Sequence, residues 1–230
     1  MSYRGKLHAA LTTMLLTHIQ HELAAIYETQ LPYDIYDFLI TDVRLAAELT
    51  PTAASTNNRE RLLIQPAIED PRLSLYIDFE ILERLQADDP TISLHSGNLT
   101  EYLIALEGVS HLHYVIWNTE RENPVSLLEL ELQAEVDKYV ACAKLFGEQR
   151  EGNIPLRLHA TLFERVMFDG SLAPEAQSRY QEANHFAAKY CADLRRRFPG
   201  HHGQPSFLTE LRMFYRLTQN QKIQRIRRVV

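Results

Sequence analysis

The stretch NLTEYLIALEGVSHLHYVIWN at residues 98–118 and PVSLLELELQAEVDKYVACAKLFG at 124–147 decide how this chain reads. In the first, Leu99, Leu103, Leu106, Val109, His113 and Trp117 recur at helical spacing. In the second, Leu128, Leu132, Val136, Tyr139, Ala143 and Phe146 do the same. Apolar side chains three and four residues apart share one helix face. Pro124 opens the second run, where its missing N–H costs nothing, and Gly147 reads as a C-terminal stop. The short connection between Asn118 and Pro124 predicts an antiparallel pair, 98–118 against 125–147, at the centre of the fold.

Outward from this pair, most segments between prolines are amphipathic. Residues 6–29 carry Leu11, Leu15, Ile19, Leu23 and Ile26 on one stripe, and 35–49 read as a shorter helix. Thr52–Asn58 is polar and loop-like. Arg61–Gln65 and Arg72–Asp78 are β-rich runs around a Pro66–Pro71 connection, the pattern of a hairpin. Further helices are expected at 79–87, 156–166 and 175–198, the last with Tyr180, Ala183, Ala187, Tyr190, Leu194 and Phe198 in line. Ser206 caps a final helix bearing Phe207, Leu208, Leu211 and Phe214. The expected fold is mainly α with a minor β part: about seven helices and one hairpin packed on them. It reads as one domain over 1–230. A division, if there is one, falls at Pro90, between a 1–90 part with the hairpin and a helical 91–230 part.

Composition removes several function classes. Eight glycines in 230 residues are close to half the usual share of about 7%. None has the spacing of a dinucleotide or P-loop motif, whose glycines let backbone N–H groups approach phosphate. G-x-S-x-G, H-E-x-x-H and the EF-hand loop are also missing. Cys142 and Cys191 lie singly among apolar residues, which predicts buried reduced thiols rather than a metal ribbon. His8, Thr12, Thr13, His18 and Gln20 interrupt the first helix, so it lacks a secretory apolar region. No run reaches 18 apolar residues, and a cytoplasmic location is the expectation.

Two features point to function. Glu107 and His111 share a helix face four residues apart, and Glu131 and Glu135 do so on the following helix, with Asp137 just beyond. Carboxylates and an imidazole on facing helices are ligands for a divalent metal, which makes Glu107, His111 and Glu135 the candidate set. The Glu-x-x-His repeat of a di-iron bundle is absent, and surface charge is the competing reading of these side chains. His18-Ile-Gln-His-Glu22 spaces its histidines too closely for one zinc, and His201-His202 sits in a Gly/Pro-rich loop. Asn184 interrupts an apolar stripe and is expected to find an internal hydrogen bond.

The second feature is charge. The net −6 averages −14 over residues 1–186 and +8 over 187–230. Arg195-Arg196-Arg197 introduces the basic part, and Arg212, Arg216, Lys222, Arg225, Arg227 and Arg228 follow without an acid among them. Such a segment binds an acidic protein, a nucleic acid, or an acidic surface of its own chain or a second copy. The acidic remainder disfavours nucleic acid, whose phosphates it repels. The first expectation is therefore a non-catalytic interaction or regulatory protein, requiring no cofactor, that binds a protein partner or itself through this segment. A metal-dependent enzyme built on Glu107, His111 and Glu135 comes second, and a nucleic-acid accessory factor third.

Overall fold

The computed structural model describes residues 3–30, 32–49, 59–65, 72–164, 173–200 and 204–228, with side chains from Leu15 onward. Among them are nine α-helices and a three-stranded sheet. In chain order these are α1 (Tyr3–Tyr27), β1 (Leu39–Ile40), α2 (Val43–Leu49), β2 (Glu60–Gln65), β3 (Arg72–Ile77), α3 (Phe79–Ala87), α4 (Leu99–Thr119), α5 (Leu127–Gln149), α6 (Leu158–Phe163), α7 (Pro174–Arg197), α8 (Pro205–Tyr215) and α9 (Gln219–Arg228). The mainly α expectation holds. No helix among the described residues is long and apolar enough to cross a membrane. Two compact units divide the chain, Met1–Glu22 with Leu31–His113, and Leu23–Gln30 with Tyr114–Val230. The division falls inside α1 and α4.

Unit 1 holds the sheet, in the order β1-β3-β2. The expected hairpin is present, with Glu60 opposite Ile77, Leu62 opposite Leu75 and Gln65 opposite Arg72. Because side chains alternate along a strand, the register assigns each to a face. Leu63 and Tyr76 pack with Ala46 of α2, while Glu60 and Leu75 meet α4 at Gly108. The helix expected over 35–49 is a correction. A single 3₁₀ turn (Ile35–Asp37) leads into β1, which pairs parallel to β3, and only Val43–Leu49 is α-helical. Asp42 explains the restart, its carboxylate accepting from the N–H groups of Arg44 and Leu45. Gln20 of α1 fastens the preceding segment, accepting from Ile35 N–H at 3.0 Å and donating to the Tyr33 carbonyl at 2.8 Å.

Unit 2 is helical and built around α5. Its broadest packing is on α7, with α6 against both. Small buried residues, Ala134, Ala141, Cys142 and Ala143 on α5 and Ala183, Ala187 and Cys191 on α7, permit close helix approach. Both cysteines are free, buried thiols, as expected, and burial raises both their pKa values. Ser126 caps α5 through the N–H of Glu129, and the helix runs past Gly147 to Gln149. The single last helix becomes two. Pro205 occupies the first turn of α8, and after Thr218 the chain restarts as α9, with Gln221 Oε1 accepting from Thr218 N–H at 3.0 Å. That is half of a Thr-x-x-Gln capping box.

Candidate metal centre

In unit 1, Glu60 of β2 meets Glu107 and His111 of α4. One ligand atom from each lies within 4.8 Å of the other two. Two elements position the set by simple geometry. The four-residue spacing puts Glu107 and His111 on one face of α4, and strand alternation puts Glu60 on the sheet face that meets that helix. Gly108 makes the approach possible, since a Cβ there would stand 2.8 Å from Glu60 Cγ and 2.9 Å from Leu75 Cδ1. The close neighbour at Gly108 is the sheet. His111 Nδ1 is 3.5 Å from Glu60 Oε1, and these side chains are only 7% and 11% exposed. Glu107 is half-buried. Two residues further along α4, burial lowers the pKa of His113 to about 3, so that imidazole is neutral at pH 7.

Two carboxylates and an imidazole form a mixed oxygen and nitrogen donor set. Calcium and magnesium prefer oxygen alone, whereas zinc, manganese and ferrous iron accept both. Ligands about 2.1 Å from such an ion stand at most about 4.2 Å apart, so the set closes on one with small side-chain movements.

Of the three ligands expected from sequence, Glu107 and His111 stand together, and Glu60 is the third member of their group. Glu135 belongs to unit 2, where it accepts from Lys138 Nζ at 2.8 Å. Its neighbours on α5 are not surface charge. Glu131 is buried 3.8 Å from Arg179, and Asp137 is 1% exposed. His18 is half-buried and His21 exposed on α1. The Asn184 amide nitrogen is buried with no hydrogen-bond partner among the described residues. His201-His202, the loop at 52–58 and the 66–71 connection lie outside the described residues.

The basic segment is largely engaged within unit 2. Arg212 donates to the Ile26 carbonyl at 2.9 Å and pairs with Glu28 at 2.7 Å, while Arg216 donates to the Tyr27 carbonyl at 3.0 Å. Both guanidiniums thus cover the negative C-terminal end of α1. Arg225 grips Glu210 through two nitrogens, at 2.8 and 2.6 Å, and Arg197 joins the same carboxylate at 2.8 Å. Arg227 lies 6.0 Å from the Phe186 ring, and Arg228 is exposed.

Lys222 is completely buried. Its Nζ donates to Gln133 Oε1 at 2.7 Å and to the Tyr114 hydroxyl at 2.9 Å. The Tyr114 hydroxyl in turn donates to Glu129, whose second oxygen accepts from Gln219 N–H. Asp137 accepts from Gln133 and from the Tyr27 hydroxyl. Burial drives the Lys222 pKa down to about 7, against the pull of Glu129 and Asp137, and raises those of Tyr27 and Tyr114.

No protein family, curated protein or solved structure matches the chain.

Proposed function

We propose that this protein binds a divalent transition-metal ion through Glu60, Glu107 and His111, and that the ion clamps β2 onto α4. The observation carrying this reading is the convergence of two carboxylates and an imidazole, from a strand and a helix, at a largely buried position that Gly108 keeps narrow. Space of that kind suits an ion with its water better than an organic substrate. Metal binding is therefore placed ahead of catalysis, although three protein ligands leave coordination positions for water, as hydrolytic centres do.

The test is a metal titration of the purified full chain after chelator treatment. One equivalent of Zn²⁺ or Mn²⁺ is expected to bind. At a hundred times its dissociation constant the ion adds about 2.7 kcal/mol, raising the melting temperature by roughly 5–10 °C. His111→Ala and Glu60→Gln should each abolish the rise, and Glu135→Gln should leave it intact. Failure of both metals to bind stoichiometrically, or a rise that persists in His111→Ala, overturns the reading.

A further inference from the structure

The charge of the C-terminal segment is not wholly spent inside unit 2. The end of α7 together with α8 and α9 forms a concave surface of about 360 Å³, lined by Arg197, Arg225, Arg228, Met213 and Leu217 with glutamines beside them. Glu210, 6% exposed beneath it, holds Arg197 and Arg225 in place. One carboxylate serves two guanidiniums, and it takes only Nε and Nη2 of Arg225, so its Nη1 edge is not used by Glu210. Exposed Arg228 adds a further positive charge at the rim, and Met213, 37% exposed, gives the surface an apolar part.

We propose that this concave surface docks an acidic segment of a protein partner, with carboxylates on Arg225 and Arg228 and an apolar side chain against Met213 and Leu217. The Arg225 guanidinium, fixed by the buried Glu210 carboxylate, is already oriented to present its unused edge to a carboxylate, which lowers the ordering cost of binding. A nucleic acid fits less well. The lining has no aromatic ring for base stacking.

The experiment is fluorescence anisotropy of the full chain with a short labelled peptide of alternating Glu and Leu. Parallel arms use the Gln/Leu peptide, a Glu/Ser peptide and single-stranded oligo-dT. Saturable binding of the Glu/Leu peptide is expected, with both peptide controls weaker. Arg228→Glu should weaken it about tenfold and Met213→Glu severalfold, while Arg195→Glu, outside the lining, changes it less than about twofold. Arg228 and Met213 are exposed, so both variants should melt like the parent; if one does not, the other decides. Lack of saturable peptide binding, equal affinity in Arg228→Glu, or tighter binding of oligo-dT overturns the proposal.

Discussion

In unit 2 the buried carboxylates Glu129 and Asp137 belong to a network with a cation supplied by the chain itself, Lys222 of α9. In unit 1 the acidic side chains Glu60 and Glu107 stand instead with the imidazole of His111. A lysine is covalently present whenever the chain folds, so its nitrogen is a fixed part of the core. An imidazole nitrogen accepts either a proton or a metal ion, so the charge of its cluster is decided by what it binds. The comparison separates a polar core complete in itself from one open to a ligand.

The most severe way to break the contrast is Lys222→Ala. Removing the ammonium leaves Glu129, Gln133 and Asp137 buried around a hole, and a loss of about 3–5 kcal/mol by calorimetry is expected. The parent should also show a pH signature that the variant lacks. Between pH 7 and about 8.5 the unfolded chain keeps this lysine protonated, while the native chain, with its pKa near 7, releases the proton. The unfolded state then binds more protons, so stability rises with pH by at most about 1.4 kcal/mol per pH unit. A flat parent profile over that range would mean that Glu129, Asp137 and the Tyr27 and Tyr114 hydroxyls hold Lys222 charged.

Two glycines sharpen the contrast with opposite signs. Gly108→Ala in unit 1 forces a methyl group against Glu60 and Leu75, which should cost about 1–3 kcal/mol and weaken the metal response together with the fold. Gly147→Ala on α5 meets nothing within 4 Å and should stabilise by about 0.5–1 kcal/mol. Chemical denaturation measures both. A neutral Gly108→Ala would mean that Glu60 and α4 can separate without loss.

Much of the fold was legible locally, because apolar stripes and a Pro-bounded β-rich pair announce helices and a hairpin without reference to distant residues. The misses have physical causes. β1 is two residues long and exists only because β3 lies alongside it. The α8–α9 break had a readable signal in Thr218-x-x-Gln221, which the run of basic residues obscured. For the site, α4 spacing placed Glu107 and His111 on one face, but no local pattern ties Glu60 to them. Nor does spacing show that the acidic side of α5 is interior: Glu129, Glu131 and Asp137 are buried because Tyr27, Tyr114, Arg179 and Lys222 reach them from elsewhere in the chain. The basic segment was visible as composition, and which of its charges Glu28, Glu210 and the end of α1 consume was not.

The position of Lys222 along the chain also bears on how the protein is made. The ribosome delivers Glu129 and Asp137 long before α9, so the nascent polypeptide carries acids destined for burial ahead of their counter-ion. Until Lys222 emerges, desolvating them costs more than leaving them in water. Burial of these carboxylates with their full set of partners therefore waits for α9. The sheet-bearing unit, whose residues all precede Tyr114, is free of that wait.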